Sequence, residues 1–261
     1  MLHAINWLYA ASGLLVGLLV GLTGVGGGSL MTPLLILLFG FAPVTAVGTD
    51  QLFASVTKSA GSVVHGFNRT VDWRIVVRLA AGSVPAAILT LLALYYLRVS
   101  GNAANALVTK VLSVALAFTA VSLILRPWIF SLYARRVGTL GATATVKLTV
   151  LTGLVLGALV SLTSVGAGAL GVTALILLYP NVPLGRIIGS DIAHAVPLTL
   201  VAGIGHWLQG TVDLKLLGSL LVGSLPGIFI GSLLVPKVPE VVLRTLLALV
   251  LLFVAFRFLT Q

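Results

Sequence analysis

The chain repeats itself. Residues 17–47 read GLLVGLTGVGGGSLMTPLLILLFGFAPVTAV, and residues 157–187 read GALVSLTSVGAGALGVTALILLYPNVPLGRI. The copies stand 140 residues apart (Gly17 against Gly157), and 141 apart from Gly48 onward. With that offset Gly48-Thr49-Asp50 meets Gly189-Ser190-Asp191, His65 meets His206, and Thr70-Val71-Asp72 meets Thr211-Val212-Asp213. Gly82-Ser83-Val84-Pro85 likewise meets Gly223-Ser224-Leu225-Pro226. A duplicated apolar chain with a glycine cluster inside each half is the layout of a secondary transporter.

The solvent for such a chain follows from its composition. Of 261 residues, 59% are hydrophobic and 8% charged, against about 25% charged in a soluble domain. That much apolar surface needs a bilayer, so the lipid bilayer is the first partner and a polytopic all-α membrane protein the expected fold class. The net charge of +10 is explained by basic loops on one membrane face, with no nucleic acid. There are no cysteines, which excludes disulfides and thiolate metal sites; no metal and no cofactor is expected. Met1–Val20 lacks a basic leader and runs straight into the first repeat, so it reads as a retained span.

Four apolar segments are expected in each half: 8–39, 44–66, 74–98 and 103–126, then 147–178, 186–208, 215–235 and 239–260. The division is a first transmembrane repeat over 1–126, a cytoplasmic loop over 127–146 and a second repeat over 147–261, about eight transmembrane helices in all. Segments 8–39 and 147–178 exceed the roughly 20 residues of one crossing. Each is expected to be broken or re-entrant at its glycines, Gly24–Gly28 and Ser164–Gly168. Arg126, Arg135, Arg136 and Lys147 place the central loop in the cytoplasm. Arg69, Arg74, Arg78 and Lys215 join them if there are eight crossings with both termini inside, leaving Arg98, Arg186 and Lys237 outside. If the broken segments are re-entrant, the crossing number per half becomes odd and the repeats invert.

The glycine clusters GVGGG and SVGAG are candidate binding elements. Unwound backbone survives in a membrane only where it is buried in protein or lines a cavity, and a helix restarting there points free N–H groups at an anion. Gly13, Gly17 and Gly21, echoed by Gly153, Gly157 and Ser161, form small-xxx-small ridges assigned to packing, as do Gly223, Gly227 and Gly231. Lys58 lies mid-segment, where a lysine costs about 2.5–3.5 kcal/mol and needs water, a counter-charge or an anion. An ion pair with Asp50 or Asp191 is the competing reading. Asp50 and Asp191 are candidates for proton or ion coupling, or for helix caps at the membrane edge. His65 and His206 can relay protons, or serve as buried structural histidines. His194 shares a helix face with Asp191. Asp50 and His65 stand roughly 22 Å apart along a helix and cannot share a site. Asp72 and Asp213 begin the next helices.

At this point the chain resembles the TauE/SafE family of sulfite exporters, also called the sulfonate uptake permease family. The resemblance rests on GLTGVGGGSLMTP ending at Pro33, Gly48-Thr49, His65 followed by Val71-Asp72-Trp73, Gly82-Ser83-Val84-Pro85, and the degenerate second copy. It implies an inner-membrane carrier for a small sulfur-containing anion, sulfite or an organosulfonate. The second copy departs from the pattern, with Ala167 for the middle glycine and Thr173 for Pro33.

The expected function is therefore secondary transport, with export and ion or proton coupling, and no enzymatic activity. The expected substrate-binding residues are Thr23, Gly26, Gly27, Gly28, Ser29, Lys58, Thr163, Ser164, Gly166 and Gly168. The expected coupling residues are Asp50, His65, Asp191, His194 and His206. An anion channel, or a transporter of another small carboxylate or inorganic anion, remains the alternative. An intramembrane enzyme fits less well, because neither a G-x-S-x-G nor an H-E-x-x-H pattern occurs.

Overall fold

The computed structural model describes residues 6–23, 28–67, 69–136, 141–234 and 240–260. Among these residues the secondary structure is helical, in ten elements. They are α1 (Trp7–Thr23), α2 (Gly28–Leu37), α3 (Pro43–Phe67), α4 (Trp73–Tyr96), α5 (Gly101–Arg136), α6 (Ala142–Thr163), α7 (Ala169–Leu178), α8 (Leu184–Leu208), α9 (Leu214–Leu234) and α10 (Glu240–Leu259). Five stretches are long and apolar enough to cross a membrane: α4, Gly101–Arg126 of α5, α6, α8 and Leu214–Gly231 of α9. Shorter apolar helices accompany them. The surface is greasy, and the apolar interior encloses a set of polar residues. Phe118, Val155, Phe229 and Phe253 are exposed, while Thr49, Asp50, Gln51, Ser190, Asp191 and His194 are buried.

Each long glycine-interrupted segment is two helices, α1 with α2 and α6 with α7. The second break is described in full. Ser164 ends α6 in the left-handed region (φ 59°), its N–H on Val160 O at 2.7 Å. The Val165 N–H then donates to Thr163 Oγ1 at 3.1 Å. Gly166 and Gly168 follow at φ 122° and 121°, where a side chain would be strained. Gly24 to Gly27 lie outside the described residues.

The glycine ridges set the helix pairs. A Cβ on Gly13 or Gly17 would strike the backbone of Leu220 or Ser224 in α9, and one on Gly153 or Gly157 that of Leu79 or Ser83 in α4. Residue numbers rise together in both pairs, so α1 runs parallel to α9 and α6 parallel to α4. Between α3 and α8 they run oppositely: Gly61 faces Ile192 and Gly203 faces Leu52. α2 doubles back alongside α1, since Tyr9 at the start of α1 meets Phe39 just past α2, ring centroids 5.0 Å apart.

Helix ends sort onto two faces. On the lower face the Asn6 N–H donates to Ser219 Oγ at 3.2 Å, Val44 N–H to Asn105 Oδ1 at 3.2 Å, and Asp213 N–H to Thr49 Oγ1 at 3.0 Å. On the upper face Asp72 N–H donates to Ser190 Oγ at 2.8 Å and Arg78 to Tyr179 Oη at 3.3 Å. Arg69, Arg74, Arg78, Lys147 and Arg186 belong to the upper face, Arg98 and Lys215 to the lower. Three expectations are corrected here. Lys215 and Arg186 exchange sides, because α3 and α8 run in opposite directions. The start of α1 lies on the lower face, opposite the Arg126–Lys147 region, and not beside it. The stretch 127–146 is helical at both ends, with α5 reaching Arg136 and α6 starting at Ala142.

Candidate functional site: a polar centre at the second helix break

α3 and α8 cross at the middle of the bundle and bring the chain's polar residues together. Lys58 is 6% exposed. Its ammonium donates to the carbonyl of Ala167, inside the second break, at 3.4 Å. Freed carbonyls at a helix break make such a bond possible, since a continuous helix would use them. Asp191 and, more weakly, Asp50 attract the ammonium, but neither closes a direct ion pair with it, so the expected competing pair is not formed.

Asp50 and Asp191 lie well inside α3 and α8, not at their ends, so the capping reading of both is corrected. Thr32 Oγ1 in α2 donates to Asp50 Oδ2 at 2.5 Å, and the Ser164 hydroxyl faces the same carboxylate. Asp191 faces the Gly168 N–H. The Asp191 carboxylate thus lies against the first turn of α7, beside Gly171. Asp50 Oδ1, Asp191 Oδ1, Gln51 Oε1 and His194 Nδ1 are buried without a hydrogen-bond partner. Such a concentration of unsatisfied polar atoms is costly and makes this centre the candidate site.

The other expected residues divide. Gly166 and Gly168 shape the break, and Ser29 is buried at the start of α2. The Thr163 hydroxyl donates to Leu159 O at 2.7 Å and accepts from Val165 N–H, which commits it to closing α6. His194 turns away from Asp191 and meets Ser83 Oγ through Nε2 at 2.8 Å. His206 is buried, its Nε2 on Ser161 O at 2.9 Å, while His65 is partly buried near the upper face. Gly26 and Gly27 lie outside the described residues, as do the side chain of Thr23 and the surroundings of Gly28. Sequence reasoning missed Thr32, Ser83 and Gln51. Gln51 Nε2 donates to Val160 O, and its signal was an amide beside Asp50 in an apolar segment.

Comparisons with known proteins place the chain in a family. Residues 9–258 match the family model described as "Sulfite exporter TauE/SafE". A Bacillus subtilis (strain 168) protein named "Probable membrane transporter protein YjnA" is 41% identical over 217 residues, covering 83% of this chain and 85% of that one. "Probable membrane transporter protein YdhB" from the same organism is 23% identical over 213 residues, 82% of this chain and 83% of its own. No solved structure gives a significant match to the chain.

Proposed function

Because the chain belongs to the TauE/SafE family of membrane transporters, we propose that it is a proton-coupled carrier exporting a small sulfur-containing anion, sulfite or an organosulfonate, across the inner membrane. The observation that carries this reading is Lys58, a buried basic side chain bonded to the carbonyl of Ala167 inside the second helix break. An ammonium at that depth offers an anion a desolvated partner.

Charge balance supports the coupling. Lys58 with both carboxylates ionised leaves the centre negative and repels an anion. A low-dielectric site favours little net charge. With one aspartate protonated the empty centre is neutral; protonating the second admits a monovalent anion, so proton and anion leave together and net export follows the anion's own gradient. Asp50 and Asp191 are therefore the proposed proton carriers, each with one oxygen free of hydrogen bonds.

The same reading includes topology. Each half is a duplicated unit of three crossings, α3 to α5 or α8 to α10, preceded by a re-entrant pair. The antiparallel run of α3 and α8 supports inversion of the two units. The basic upper face is assigned to the cytoplasm, which puts the start of α1 outside.

Counterflow in proteoliposomes tests the proposal. Labelled sulfite is expected to accumulate with the unaltered protein and not with Lys58→Ala. Accumulation of a carboxylate in place of every sulfur anion would reassign the substrate. Flux indifferent to an imposed pH gradient would remove the protons.

A further inference from the structure

We propose that His65 and His206 are reciprocal latches on two opposite routes to Lys58, and that the structure holds the His206 latch closed and the His65 latch open. The inference takes from the preceding reading only that the protein is a carrier with inverted halves; it is indifferent to the anion and to proton coupling.

The upper route is a cavity of about 80 Å³ lined by Gly21, Lys58, Gly61, His65, Gly168 and Asp191, among others. The repeat offset maps Gly21, Lys58, Gly61 and His65 onto Ser161, Thr199, Ala202 and His206. Those four are closed off, with exposures of 0, 1, 0 and 2%. The lower route is therefore the same set of positions, packed shut.

The two histidines differ at one atom. Both are tethered alike through Nδ1, His65 to Thr70 Oγ1 at 2.8 Å and His206 to Thr211 Oγ1 at 3.1 Å. His206 Nε2 then meets Ser161 O at 2.9 Å. A carbonyl only accepts, so this nitrogen donates. Gln51 adds a second bond across the same seam, to Val160 O. His65 Nε2 has no hydrogen-bond partner among the described residues, and Gly21, the counterpart of Ser161, lines the open cavity instead. Below the seam a vestibule of about 630 Å³ carries Arg98 and Gln209 and reaches Leu162 and His206. His206 is thus the partition between that vestibule and the polar centre. In the opposite state His65 Nε2 bonds the Gly21 carbonyl and His206 lets go of Ser161.

The chain has no cysteines, so single introduced thiols report each route. Ala202→Cys reports the closed one, and a maleimide probe in detergent needs no substrate. Removing one hydrogen bond of about 1 kcal/mol shifts the balance about fivefold. His206→Ala is therefore expected to raise labelling of Ala202→Cys about fivefold, and His206→Gln, which keeps an N–H donor, to restore most of the protection. His65→Ala is expected to lower the same labelling, because it weakens the opposite state. Unchanged labelling with His206→Ala, or an increase with His65→Ala, overturns the proposal. If His206→Ala does not fold, the His65→Ala arm decides: a fall supports the latch and no change overturns it. Loss of sulfite counterflow alone leaves this labelling pattern unaffected, so the two readings fail separately.

Discussion

The Asp191 carboxylate occupies the space that a side chain on Gly171 would fill. One turn into α7, the missing Cβ lets α8 push a carboxylate against the restarting helix, facing the Gly168 N–H and within the field of Lys58. The first half has no such slot. There Thr32 reaches out from α2 to hold Asp50. The two carboxylates are therefore related by sequence and held by different chemistry.

Gly171→Ala is expected to displace Asp191 and lower stability by about 1–3 kcal/mol, as overpacking does. Transport is expected to fall further than stability accounts for, because the carboxylate leaves the centre. Thermal melting and counterflow on the same preparation check this. Unaltered melting and flux would show that the slot is roomier than its geometry indicates.

Lys58→Ala and Lys58→Met are both expected to abolish thermal stabilisation by sulfite. A ligand at a hundred times its dissociation constant stabilises by about 2.7 kcal/mol in the unaltered protein. Retained stabilisation in the methionine variant, which preserves the side-chain bulk, would remove the ammonium from the binding site.

Gly17→Val and Gly157→Val are expected to cost the same, about 1–3 kcal/mol or more. Each glycine lets one backbone approach another, α1 on Ser224 and α6 on Ser83. Melting of the two variants side by side checks the equality. A large cost at one position and none at the other would break the equivalence of the two helix pairs.

Asp72→Ala and Asp213→Ala serve as controls. Asp72 caps α4 through Arg74 N–H at 3.0 Å, and Asp213 accepts from Lys215 and Leu216 N–H at 2.9 and 3.0 Å. Losing a cap costs about 1 kcal/mol. Sulfite-induced stabilisation is expected to persist in both, since neither carboxylate reaches the polar centre.

Much of the fold was legible because its signals are local. The apolar segments, the interruption of the first segment in each half, the packing ridges at Gly13, Gly17, Gly153 and Gly157, and the caps at Asp72 and Asp213 each depend on a few neighbouring residues. The site was legible in part. Lys58 stood out because a charge in an apolar segment is conspicuous. Thr32, Ser83 and Gln51 did not, because small polar residues are common in such helices and only a partner from elsewhere distinguishes them. The capping alternative for Asp50 and Asp191 stood beside coupling for a related reason: a carboxylate near a segment's start looks alike whether the helix begins there or a turn or two earlier.

The amino-acid order alone determined that the chain is duplicated, needs a bilayer, and places an interruption in each half, since composition and periodicity act through the nearest neighbours and the solvent. Tertiary structure decided the direction of α8 against α3, the faces that receive Lys215 and Arg186, and which histidine finds a carbonyl. The direction of α8 rests on contacts between residues more than a hundred positions apart and the histidine's partner on one 45 positions away, and neither kind of contact is written in the local pattern of a helix.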